Sequence, residues 1–258
     1  MSVFDKSIIN SSNLFSRDSN FLYNYTSDLL LKLVPNAPYY YECLKSSLEF
    51  CCDCNCPVDV FPVDSSILAS KRVRDGCAIL IPLLKNYSQL GDSNVFKSLD
   101  TLQLLLLLKK QMACLRRIHS RGVCHGDITG ANILLNSNME YQFIDFDQGV
   151  VNDNVSKWNV YVNDFSNLDD IIMATMSMDK LDLLSIFLKR FLGINIYDEL
   201  SERNLKCLLL PRDINDTILN YMSTGFVSVD YYFDDIIDFL ISDNYESPFM
   251  MVKKMVDY

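Results

Sequence analysis

One ordered string constrains this chain more than any other: His125-Gly126-Asp127-Ile128-Thr129-Gly130-Ala131-Asn132 and then Ile144-Asp145-Phe146-Asp147. Before it, residues 102–119 carry apolar side chains at three- and four-residue steps, the spacing of a buried helix. That helix runs into His119-Ser120-Arg121-Gly122 and so puts Asp127 on a loop at its end. The five-residue step to Asn132 lets the loop turn back until both side chains face one cavity. Residues 133–135, the turn 136–138 and residues 141–144 predict a hairpin that returns Asp145 beside Asn132. Two metal-binding oxygens delivered by one hairpin, with a separate carboxylate nearby, suit Mg²⁺, a hard cation that prefers oxygen ligands.

Around this string the chain reads as α+β. Residues 20–25 and 29–34 are rich in apolar and aromatic side chains and predict strands. Pro35 and Pro38 break the chain, and residues 39–50 then predict a helix with Pro38 near its first turn. A second strand pair is expected at 66–69 and 77–81, joined by the polar turn 70–76. Helices are expected at 181–192, 215–222 and 231–241. A small strand-rich part comes first and a larger helical part second.

Composition narrows the function. The 258 residues suffice for one large domain or two small lobes. Residues 1–149 carry 14 basic and 15 acidic side chains, and residues 150–258 carry 9 and 18, within a net charge of −10. No Lys/Arg stripe or RNA-binding aromatic motif is present, which argues against a nucleic-acid partner. The acidic second half is a solvated surface or a bias toward basic substrates. The apolar run 104–108 closes at Lys109-Lys110, far short of the roughly 20 residues that span a bilayer. The first residues, MSVFDKSIINSS, do not read as a secretory signal, so a cytoplasmic, reducing location is expected. Five of the nine cysteines crowd together: Cys43, Cys51, Cys52, Cys54 and Cys56. A soft-metal site is one reading. With no second Cys or His pair at finger spacing, and only His119 and His125 as histidines, reduced thiols on a helix end and loop are the favoured one.

Residues 78–149 resemble the catalytic core of the protein-kinase-like superfamily. HGDITGAN stands where eukaryotic-type kinases have HRD(x)4N, and Asp145-Phe146-Asp147 where they have DFG. The resemblance implies a bilobal fold, with residues 1–84 as a strand-rich N-lobe and residues 85–258 as a helical C-lobe, and it implies ATP and Mg²⁺ as cofactors. It makes Asp127 the catalytic carboxylate and Asn132 and Asp145 the metal ligands, with His125 supporting the catalytic loop. The stretch Asp182-Leu183-Leu184-Ser185 resembles the D-x-W-S start of the helix beneath that loop, which implies that Asp182 supports the loop's backbone. Lys32, alone in an apolar strand, fits the phosphate-binding lysine, with Glu42 or Glu49 as its partner. The stretch from Ile81 through Leu84 to Lys85 resembles the interlobe hinge, where backbone groups meet adenine.

The departures move the chain away from the regulated eukaryotic pattern, towards a compact, atypical kinase. Gly126 replaces the Arg that binds a phosphorylated activation loop, Thr129 replaces a Lys that would reach the γ-phosphate, and Asp147 adds a third carboxylate. No glycine precedes Gly76, so a Gly-rich phosphate loop is absent and the Ser16–Ser19 turn takes its place. HGD followed by DFD also resembles aminoglycoside and choline phosphotransferases, lipopolysaccharide-core kinases and compact bacterial or viral kinases. The compact stretch between Asp145 and Asp182 favours a protein Ser/Thr acceptor. A small-molecule phosphotransferase and a nucleotide-binding pseudokinase that serves as an interaction module are the alternatives. Oligomeric state leaves no mark in the sequence.

Overall fold

The computed structural model describes residues 14–16, 19–34, 36–49, 51, 53–63 and 76–192. Strands β1 (Leu14–Ser16), β2 (Ser19–Asn24), β3 (Leu29–Val34), β4 (Asp59–Pro62) and β5 (Cys77–Pro82) form a sheet in the order β1-β2-β3-β5-β4. Every pair is antiparallel. The largely buried run of β3 explains its apolar composition. Leu31, Leu33 and Val34 have almost no exposure, and β3 lies between β2 and β5 with six register pairs to β5. Both edges of β5 are taken, by β3 and β4. The strand beside β5 opposite β3 is 59–62; the expected strand 66–69 lies outside the described residues. β4 carries Asp at its start and Pro at its end, as suits a sheet edge.

Helix α1 (Pro38–Leu48) starts on a proline, whose fixed φ and missing N–H fit a first turn. It buries Tyr40, Tyr41, Leu44 and Leu48 and leaves Glu42 exposed. After β6 (Tyr87–Gln89) come the short helix α2 (Asn94–Ser98) and the long helix α3 (Thr101–His119). Asp100 caps α3: its carboxylate accepts from Gln103 N at 2.8 Å, while the Gln103 side chain accepts from Asp100 N at 3.1 Å. Strands β7 (Val123–Cys124), β8 (Ile133–Asn136), β9 (Tyr141–Phe143), β10 (Val150–Val151) and β11 (Asn154–Val155) build two small sheets, β6-β8-β9 and β11-β10-β7. Helix α4 (Leu168–Leu192) begins well before the expected 181, with the Asn167 side-chain Oδ1 accepting from Asp170 N at 3.1 Å. The helices expected at 215–222 and 231–241 lie outside the described residues.

One apolar core runs from β3 and α1 through α3 and the β8–β9 hairpin to Leu183 and Phe187 of α4. At roughly 25 cal/mol per Å² of apolar surface removed from water, this shared core fixes how the hairpin sits on α3. Among the described residues no helix is long and apolar enough to cross a membrane.

Candidate active site

The loop after β7 carries His125, Gly126 and Asp127, and its shape is held by three sets of bonds. Asp179, fully buried on α4, accepts from His125 N at 2.7 Å and from Gly126 N at 2.8 Å. The same carboxylate meets His119 Nε2 at 2.9 Å, which ties the end of α3 to the loop. His125 is buried, and its ring joins two functional segments. Nε2 lies 2.8 Å from Ile144 O and Nδ1 accepts from Asp127 N at 3.2 Å, the pattern of a neutral imidazole protonated on Nε2. Phe146 packs on the ring with centroids 4.5 Å apart. One histidine thus couples the residue before Asp145 to the backbone of Asp127.

Asn132 and Asp127 are brought together. Asn132 Nδ2 donates to Asp127 Oδ2 at 2.8 Å and to Asp127 O at 3.0 Å, leaving the amide oxygen as the atom available to a cation. Ile144 N donates to Asn132 O at 3.0 Å, so Asn132 and Asp145 sit on facing ends of one hairpin. Asp145 has φ +67°, a left-handed conformation that Asp tolerates better than most residues and that recurs where function demands a particular side-chain direction.

Lys32 projects from β3 onto this segment. Its Nζ lies 2.8 Å from Asp145 Oδ1 and 2.9 Å from Asp147 Oδ2. Burial works against the charge on Lys32, but Asp147 and Asp145 outweigh it and hold the ammonium above its ordinary pKa. Burial likewise opposes the charge on Asp145, and Lys32 outweighs it, so that carboxyl stays below the usual range. At Asp147 burial prevails and the carboxyl is raised. Tyr41 O–H donates to Asp147 Oδ1 at 2.8 Å, Asn36 Nδ2 to Asp147 O at 2.8 Å and Tyr40 O–H to Phe146 O at 2.7 Å.

Two sequence expectations are corrected. Among the described residues Lys32 pairs with Asp145 and Asp147, not with Glu42 or Glu49. Helix α1 turns Tyr40, Tyr41, Leu44 and Leu48 inward and leaves both glutamates exposed. Glu42 lines a shallow surface pocket with Tyr39, Cys43 and Asn152. The second correction concerns the loop support. Asp179 holds the loop backbone; Asp182, three residues on and partly exposed, lies near Tyr161, whose phenol is raised first by burial and then by the Asp182 charge. Leu84 sits in the connection between β5 and β6; Leu83 N donates to Asp28 O and Lys85 N to Leu83 O. Strands β1 and β2 pair through Ser16 and Ser19; residues 17–18 between them lie outside the described residues.

Gly126 has a physical reason to be glycine. Its φ is +79°, and a Cβ there would overlap the carbonyl of Gln148. An Arg at this position is therefore sterically barred, whatever the mode of regulation. Gly126→Ala is expected to lower stability by about 1–3 kcal/mol, from strain and overpacking, read as a fall in the thermal midpoint.

The oxygen donors present, two carboxylates and one carboxamide, fit a hard divalent cation such as Mg²⁺. Residues 97–187, a stretch that includes Asp127, Asn132, Asp145 and Asp179, match the model of the lipopolysaccharide kinase (Kdo/WaaP) family, a protein-kinase-like family. No curated protein matches the chain. The match marks this chain as a kinase-like phosphotransferase enzyme, similar over that stretch to the lipopolysaccharide kinases.

Proposed function

We propose that the chain transfers the γ-phosphoryl group of ATP to a hydroxyl of a sugar or related non-protein acceptor, with Asp127 as the catalytic carboxylate. The observation that carries this reading is the Asn132–Asp127 bond beside a Lys32-anchored Asp145, within a stretch that matches a sugar-kinase family. In this reading Mg²⁺, when bound, neutralises charge on the phosphates through Asn132 and Asp145. Asp127 orients the acceptor hydroxyl and takes its proton as the O–P bond forms. Lys32 turns from Asp145 to meet phosphate oxygens, while Asp147, held by Tyr41, keeps the lysine aimed into the site. The backbone of Leu84 meets adenine. Residues 1–84 then serve as the nucleotide lobe and residues 85–258 as the helical lobe.

Lys32→Met is expected to weaken ATP binding about 10- to 100-fold, the worth of a hydrogen bond to a charged group at about 1.5–3 kcal/mol. Calorimetric titration with the Mg²⁺ complex of a non-hydrolysable ATP analogue measures it; unchanged affinity removes Lys32 from the site.

A second reading, a protein Ser/Thr acceptor, draws on the exposed Trp158 and Val160 between Asp147 and α4, an apolar surface that a peptide could cover. The test is label transfer from γ-labelled ATP with Mg²⁺ to two acceptor sets, free and lipid-linked sugars or generic proteins. Sugar labelling that is lost in Asp127→Asn supports the first reading. Protein labelling with none on sugars supports the second, and nucleotide binding without transfer to any acceptor, water included, overturns both.

A further inference from the structure

Cys51 and Cys54, on one loop, and Cys114, from a distant helix, meet at one point. Cys51 follows α1, with its N–H donating to Leu48 O at 2.8 Å; Cys54 forms an isolated parallel bridge with Phe143; Cys114 lies inside α3. Cys54 and Cys114 are buried and Cys51 is half-buried. Their sulfurs lie 3.2 Å (Cys51–Cys54) and 4.0 Å (Cys51–Cys114) apart, and all three fall within 4.8 Å of one another. Zinc–sulfur bonds of about 2.3 Å at tetrahedral angles put neighbouring sulfurs roughly 3.8 Å apart, so the triangle matches a thiolate cage with small adjustments. The Cys51-x-x-Cys54 step is a spacing that chelates zinc from one loop. A third ligand from a distant helix is what the sequence could not supply.

The loop is already fixed for this. Phe143 N donates to Asp53 O, and Asn55 N to Phe143 O, both at 2.9 Å. Arg117, one turn beyond Cys114, pairs with Asp53 at 2.7 Å, and the Cys114 thiol also reaches it, which places a cation beside sulfurs that would carry negative charge. Cys56 stays out: its sulfur is directed at Leu48 O.

We propose that Cys51, Cys54 and Cys114 bind one Zn²⁺ as three thiolates, with water at the half-exposed fourth position, clamping the end of α1 to α3. Each S–H gives its proton to solvent as its S–Zn bond forms. The clamp lies against Phe143, two residues before Asp145, so it braces the hairpin that delivers Asp145. The sequence alone favoured reduced thiols; the arrival of Cys114 changes that.

The full chain, purified under reductant, loaded with Zn²⁺ and freed of excess metal, is expected to hold about one zinc per chain by elemental analysis. Titration with a mercurial should release it, seen with a chromogenic zinc indicator. Cys51→Ala and Cys114→Ala should lose the zinc, whereas Cys43→Ala should keep it. Should either variant fail to fold, Cd²⁺ titration of the wild-type chain decides: a sulfur-to-cadmium charge-transfer band saturating at one equivalent supports the site. Absence of that band, zinc that survives the mercurial, or a Cys51–Cys54 disulfide that takes up no metal after reduction overturns it.

Discussion

Asp127→Asn is expected to lower kcat for phosphoryl transfer about 10²- to 10⁴-fold, the usual contribution of a positioned acid–base group. The substitution is nearly isosteric. It leaves an amide oxygen to accept from Asn132 Nδ2, now 2.8 Å from the carboxylate, and it leaves the His125–Asp127 backbone bond untouched. Nucleotide affinity should therefore change little, because Lys32, Asp145 and Asn132 remain in place. A rapid-quench assay with a titration of nucleotide binding alongside separates the two effects. Equal losses in affinity and turnover would mean that Asp127 shapes the site and does not act on the hydroxyl.

Asp179→Ala is expected to be the most damaging single change to the fold of the site. The carboxylate is buried and accepts from His125 N and Gly126 N while meeting His119 Nε2. Each donor left buried without a partner costs about 1–3 kcal/mol, and removing one side of a buried charged network typically costs about 3–5 kcal/mol. For a chain of this size that corresponds to roughly 6–20 °C in the thermal midpoint. Activity should fall with stability, because the loop that positions Asp127 loses its anchor. Asp182→Ala is the control and should leave the loop intact. If Asp182→Ala instead matches Asp179→Ala in both stability and turnover, the assignment of the loop support is wrong.

What was legible in the sequence was local. The β3 span was read correctly because six apolar-rich residues lie between clear breakers. The β8–β9 hairpin was legible because its turn residues and alternating pattern are contiguous. The string that carries the proposed site is legible as one unit because its residues fall within 23 positions, His125 to Asp147. What escaped was long-range. Lys32 and Asp147 are 115 positions apart, and no local pattern says that a tyrosine-lined helix face, rather than a glutamate, orients the lysine's partner. Asp179 was passed over for Asp182 because α4 starts thirteen residues before the expected 181, which puts Asp179 inside the helix rather than ahead of it. The acceptor has no such local signature: the compact stretch between Asp145 and Asp182 favours protein, while the family model that residues 97–187 match is one of lipopolysaccharide kinases.

The central claim is that Asp127, Asn132 and Asp145 form a Mg²⁺-dependent phosphoryl-transfer site. Following ATP by phosphorus NMR in the presence of the purified chain, Mg²⁺ and sugar acceptors tests it most directly. The account predicts that ADP and a new phosphoester signal appear together, that both require Mg²⁺, and that both vanish in Asp145→Asn. ATP that binds yet stays intact with every acceptor, or ADP formation that persists undiminished in Asp145→Asn, would contradict it.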